Sequence, residues 1–325
     1  MITSFANRST RKRSLQESLK GILYLLKYSF TLIGKNTGIV RPTVYLAVLS
    51  FLMISLLFGA LACFFSGSNI MAGVIALVIL IVILVPLRFF IRTYLKAIQS
   101  WMSYLTITGH DITYSVARSH IKQRTGSLLF IGFVDMMVAK LKNQESESKG
   151  ITGIITQLLL SGLAEVWDLL NHYMIPAVVI EGKPLKESLP NIKAVRDNVP
   201  ATLAGVFGID FAGDALRGLL FLPYLLILAI GAGFAYLLGP VFPSASFNLS
   251  NHAVCWAPIL LALFLNCSIG GILRACVESV KTIYFTIFYT TIMHMDQIPE
   301  AYREQLMGYL RMGAADTTAP GPTMR

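Results

Sequence analysis

The sequence predicts an all-α fold, a polytopic integral membrane helical bundle with four clear membrane segments and two weaker ones that would make six. Three observations carry that prediction. Hydrophobic residues make up 55% of the 325 and charged residues 14%, with a mean hydropathy of +0.65, whereas soluble domains carry about 25% charged residues. Residues 43–65, 69–91, 219–242 and 253–273 are each an apolar run long enough to cross a bilayer. Basic residues crowd one side of the proposed topology, as the positive-inside rule requires.

The elements divide the chain into a basic cytoplasmic arm (1–42), a helical membrane domain (43–312) and a disordered tail (313–325). The arm opens with "NRSTRKRS". Leu19, Ile22, Leu23, Leu26 and Phe30 then fall on one helical stripe, the pattern of a helix on a membrane surface or on the protein's own cytoplasmic face. Segments 43–65 and 69–91 are joined by the short uncharged "SGSN", so they pair as a hairpin, and Pro86 can kink the second. "GALAC" before Cys63 lacks the leucine of a lipoprotein site, and the long preceding arm does not suit a signal peptide. Segment 43–65 is therefore read as a retained span.

Residues 126–141 and 151–180 are apolar but short or interrupted, by Asp135 in one and by Glu165, Asp168 and His172 in the other. They either span as a pair or form a re-entrant hairpin. "PSASFNLSNH" (243–252) is expected to be a loop, and "RACVESVKTIYFTIFYTTIMHM" to continue the last span as one helix. Arg8, Arg11, Lys12, Arg13, Lys20, Lys27, Lys35 and Arg41 sit before the first span, while the 66–68 and 243–252 connectors carry no Lys or Arg. Both termini are thus cytoplasmic, in a multi-pass protein of the bacterial inner membrane.

The net charge of +10 would raise nucleic acid for a soluble chain. No base-stacking platform or reading motif accompanies it, and the lipid bilayer is the partner expected, with anionic headgroups at the basic arm. The four cysteines include no CxxC pair and no zinc spacing. Walker, GxSxG, HExxH and dinucleotide signatures are also missing. No cofactor, metal or enzymatic activity is expected.

Charged groups at helical spacing are the candidate site. Glu165, Asp168 and His172 share one face. They could join a metal set with Asp135, His120 or Glu181, line a solute path, or simply pair with basic groups; intramembrane charge is costly enough to make function a standing expectation. Asp210, Asp214 and Arg217 form a second set, and Arg274, Glu278 and Lys281 a third. Pairing of the last two sets across helices would lock the bundle or line a vestibule. Glu181-Gly182 reads as a boundary at which Gly182 closes a helix and Glu181 reaches water. Ala229/Gly233 and Ala235/Gly239 are small-xxx-small pairs for helix packing or an oligomer face. "MHM" (293–295) is an isolated soft-metal pattern.

Four blocks carry a resemblance. They are "SLKGILYLLKYSFTLIGKN", "GHDITYSVARSHIKQRTGSLLFIGF", "EVWDLLNHYMIPAVVIEGKPLKESLPNIKAVRDNVPATLAGVFGI" and "VKTIYFTIFYTTI". Over most of 18–310 the chain resembles a family of uncharacterised bacterial polytopic membrane proteins, distantly like the membrane domain found beside some glycerophosphodiesterases. The resemblance implies a fold and a location, and no reaction or functional residue. The expected role is a non-enzymatic accessory, scaffold or envelope-organising subunit, homo-oligomeric or bound to other membrane proteins. The alternative is a transporter or channel for a small solute or lipid.

Overall fold

The structure is a computed structural model that describes residues 27, 29–67, 69–144, 167, 170–182, 187, 218–242, 246–249, 252–300 and 302–303. Helix α1 (Arg41–Ser66) carries proline in its first turn, where a missing N–H costs nothing. It ends on Gly67 at φ +64. The Asn69 side chain accepts from the Ala72 N–H and starts α2, which runs without a break from Ile70 to Ile107. Pro86 does not end it. A π-helical turn at Ile79–Leu84 precedes the proline, and Val85 N–H reaches the Leu80 carbonyl. The wider turn accommodates a ring that would crowd a regular α-turn.

Helix α3 (Tyr114–Lys122) and helix α4 (Thr125–Gln144) follow, then α5 (170–181), α6 (Phe221–Leu238) and α7 (Trp256–Met293). The expected loop before α7 is instead an antiparallel β-hairpin. Its strands β1 (Ser246–Leu249) and β2 (His252–Cys255) pair Ser246 with Cys255 and Leu249 with His252. Ser246 Oγ donates to the Gly239 and Phe242 carbonyls at 3.0 and 2.7 Å, fastening the hairpin to the end of α6. The final span accordingly begins at Trp256 rather than at 253.

Among the described residues, four helical stretches are long and apolar enough to cross a membrane: Thr37–Ser66, Ile70–Ile107, Phe221–Leu238 and Trp256–Met293. By length and composition this is a membrane protein. Two of the stretches are 38 residues long, about 57 Å of helix against roughly 30 Å of hydrocarbon. Their surplus is where the core forms. On α7, Leu261, Leu263, Leu265, Ile269 and Ile272 are exposed, while every residue from Lys281 to Thr291 is buried. α2 changes in the same way, from exposed Ile81, Val82 and Leu87 to buried Leu95–Ser100. Burial on all sides of a helix means enclosure by neighbours. Apolar halves need no such cover, because lipid is as apolar as leucine. The bundle expected within the bilayer is thus loosely packed there and tightly packed at its basic end.

Helix α4 returns alongside α2 in the opposite sense. Trp101 stacks on His120, Phe90 and Thr93 lie against Gly132, and Arg92 approaches Asp135. α5 then descends beside α4, with Trp167 and Asn171 at Asp135 and Gly182 at Arg124. The two weak segments therefore form an antiparallel pair; whether they cross fully falls on 145–166, outside the described residues. The arm's amphipathic stretch before Lys27 and the 313–325 tail also lie outside. Near its end, Ser29, Leu32 and Ile39 are buried in the core and Phe30 is exposed, so this part packs on the protein.

Gly239 shows how tightly the hairpin seats. A Cβ there would stand 1.8 Å from the Ala253 carbonyl oxygen. Gly239→Ala is expected to lower the thermal midpoint in detergent by an amount equivalent to about 1–3 kcal/mol; an unchanged midpoint would show that the contact can relax freely.

Candidate functional site

Helical spacing sets up the site. On α2, Arg88, Arg92, Lys96 and Gln99 follow at steps of four, four and three, and on α7 Arg274, Glu278 and Lys281 follow at four and three. The helices cross so that these stripes face. Glu278 accepts from Arg92, and its other oxygen lies 2.7 Å from Lys96 Nζ. Lys96 is 3% exposed. Its charge is therefore tolerable only beside that carboxylate. Arg92 also lies 3.9 Å from Asp135 of α4. Asp135 accepts from Trp167 Nε1 and Asn171 Nδ2, each at 3.3 Å. One chain of contacts thus joins α7, α2, α4 and the entry to α5.

A neutral ladder continues below. Thr43 Oγ1 of α1 donates to Ser279 Oγ at 2.6 Å, and Gln99 Nε2 donates to Ser279 Oγ and to the Ile39 carbonyl. Thr286 Oγ1 donates to Ser100 Oγ at 2.9 Å. Buried hydroxyls and amides at such positions must pair, and they pair across helices, which holds one rotational setting of α1, α2 and α7.

A second polar cluster caps the core. Glu181 accepts from Tyr289 Oη at 2.8 Å and meets His294 Nε2 at the same distance. Its side chain is 14% exposed, so Glu181 turns into the protein rather than reaching water. The cause is the neighbouring turn. Gly182 closes α5 at φ +72, and Arg124 donates to its carbonyl. A Cβ on Gly182 would meet the Arg124 guanidinium at 2.6 Å. His294, the central residue of "MHM", is thereby committed to Glu181. Beside this cluster His120 stacks on Trp101 at 3.9 Å. Burial first, and then the nearby Arg124 charge, hold its imidazole below the ordinary value of 6.5.

The sequence-derived candidates meet different fates. Glu165, Asp168, Asp210, Asp214 and Arg217 lie outside the described residues. His172 is buried, its ring stacked on Phe285 at 4.6 Å and within electrostatic reach of Glu278. Glu278 takes partners from α2 rather than from Arg274 or Lys281 of its own stripe, and Lys281 is buried. Among the described residues, no three His, Cys, Asp or Glu side chains converge as a metal set. Ala235 and Gly239 are buried, joined by Gly231, whose Cβ would lie 2.6 Å from Ala262 Cβ. Ala229 and Gly233 face outward.

Arg92, Lys96 and Gln99 were not among those candidates, because they follow the end of the apolar run. Their signal was the run of four- and three-residue steps from Arg88, on the same face. No protein-family model matches this chain, and no curated protein or solved structure is significantly similar to it.

Two outcomes test this geometry. Glu278→Gln leaves the buried Lys96 without its carboxylate and Arg92 with Asp135 alone, and is expected to destabilise the folded chain by about 3–5 kcal/mol. Adding Lys96→Met should recover part of the loss, measured by thermal melting in detergent; equal losses would break the coupling. The second concerns pH. A depressed histidine takes up its proton more readily when unfolded, so stability should fall as pH drops through the ordinary histidine range toward the lower folded value. His120→Asn should flatten that slope between about pH 8 and pH 5.

Proposed function

We propose that this chain is a non-enzymatic accessory or scaffold subunit of a membrane assembly in the bacterial cytoplasmic membrane. Its basic end and packed core would face the cytoplasm. The observation that supports this most is that the interior carboxylates Glu278 and Asp135, among the described residues, are engaged by groups of neighbouring helices. Glu278 is shared by Arg92 and Lys96, and Asp135 is shared by Arg92, Trp167 and Asn171. Groups that satisfy one another across three helices hold a shape. Groups that move an ion or solute must exchange partners.

The placement of basic residues supports the orientation. Lys27, Lys35 and Arg41 lie at the same end as the core residues Leu32 and Ile39. Oligomerisation or binding to other membrane proteins would use the exposed apolar faces, such as the outward side of α6 that carries Ala229 and Gly233.

A transporter or channel for a small solute or lipid is the second reading. The antiparallel α4–α5 pair, which brings Asp135 to Arg92, favours it as a broken path entering from one side. Crosslinking in native membranes, followed by native gel electrophoresis, separates the two. The scaffold reading expects one discrete complex above the monomer mass, weakened by Glu278→Gln. A monomer alone, with solute or lipid flux in proteoliposomes that Glu278→Gln abolishes, would replace it with the transporter.

A further inference from the structure

The outward-facing apolar surface of α2 and α7 stops abruptly. Leu87 and Ile272 are the last large exposed apolar residues on their helices. The next residue on α2 is Arg88, and two residues on along α7 is Arg274. Arg274 is exposed and Arg88 half-buried. The two helices run in the same sense, as Arg92 meets Glu278 and Ser100 meets Thr286, and Arg88 stands one turn before Arg92 while Arg274 stands one turn before Glu278, so the two arginines lie one turn beyond that contact on adjacent helices. Neither lies within ion-pair distance of a carboxylate among the described residues. The anions nearest to them are already engaged, as Glu278 serves Arg92 and Lys96 while Asp135 serves Arg92, Trp167 and Asn171.

A lone cation at the edge of hydrocarbon is costly and must find an anion. Lipid phosphate is the anion available at that depth. Arginine suits it, since a planar fork of donors matches phosphate oxygens two at a time. We propose that Arg88 and Arg274 form a clamp for the phosphate of an anionic phospholipid, one guanidinium from each of two helices, in the leaflet at the basic end of the protein. The acyl chains lie along the exposed apolar faces above, past Leu87 and Ile272. A net anionic headgroup is selected over a choline headgroup because the site itself is in cationic excess: Arg88, Arg92, Lys96 and Arg274 face Glu278 and Asp135. The clamp also accounts for a second feature. The ion pair beneath it needs a dry, fixed environment, and a bound headgroup covers its outer side.

The inference rests on placement of the chain in a membrane and not on the accessory role. A transporter would carry the clamp equally, so the complex described above can fail while the clamp stands. The test is native mass spectrometry of the full chain in detergent, titrated with phosphatidylglycerol and with phosphatidylcholine, and repeated with excess inorganic phosphate. Wild type is expected to hold phosphatidylglycerol preferentially. R88Q/R274Q should weaken that binding by roughly 25-fold, a factor of about five for each interfacial cation removed. Lys122→Gln, a change to an exposed cation on α3, should leave it unchanged.

If R88Q/R274Q does not fold, R88K/R274K keeps the charge and loses the fork. Its affinity for phosphatidylglycerol should fall between wild type and the loss expected for glutamine. Wild-type affinity in R88K/R274K would overturn the guanidinium clamp. Equal binding of the two lipids by wild type, or unchanged phosphatidylglycerol binding by R88Q/R274Q, would overturn the proposal. Full displacement of the lipid by inorganic phosphate would also overturn it and point to a site for a free phosphate.

Discussion

Lys96 is a fully enclosed cation, and the contact it makes with Glu278 conditions much of what surrounds it. Enclosing an unpaired ammonium costs several kcal/mol even after relaxation, so α2 and α7 must meet where Glu278 can reach it. That fixes the rotation of both helices. Once they are set, Ser279 faces Gln99 and Thr43, which brings α1 into register. Arg92, one turn from Lys96, then points toward Asp135 and draws α4 alongside. A single pairing on two long helices thus propagates to four elements through groups that have no better partner.

The same constraint explains the division of labour along α2 and α7. In their outer halves little that is polar has to be satisfied beyond the backbone, which each helix satisfies itself; Asn266 of α7 is the exception that reaches a neighbour, donating to the Tyr224 carbonyl of α6 at 3.1 Å. Helix contacts there rest on close approach, as at Gly231 against Ala262 and at Gly271, whose Cβ would lie 3.2 Å from Ile54 Cδ1. Toward the basic end, threonines, serines and tyrosines replace the leucines. Enclosure there is worthwhile only if each hydroxyl finds a partner. Thr282, Thr286, Thr290 and Thr291 each bond back to a carbonyl four residues earlier on α7. That lets much of a polar run pass through a protein interior on its own helix's carbonyls, with Ser100 and Glu181 meeting Thr286 and Tyr289 from other helices.

Much of the architecture was legible in one dimension. The four spans needed only composition and length, and the continuity of α7 through Arg274–Lys281 needed only helical spacing. Gly182 as a terminator followed from glycine's freedom at positive φ. Less visible were features that depend on what lies opposite. Glu181 looks solvated beside a glycine and a lysine, yet Tyr289 and His294 arrive from more than a hundred residues away. The β-hairpin leaves little trace in the sequence because "SFNL" and "HAVC" are short, and polar residues interrupt any alternation.

Sequence alone determined that this is a helical membrane protein with a basic end, because bilayer thickness and the cost of charge act on each segment separately. Tertiary structure decided which charges meet. Arg274, Glu278 and Lys281 are neighbours on one helical face, but Glu278 belongs to Arg92 and Lys96 while Arg274 points outward. Pairing is set by how two helices cross and rotate, and that setting depends on every contact along both of them. No local spacing encodes it.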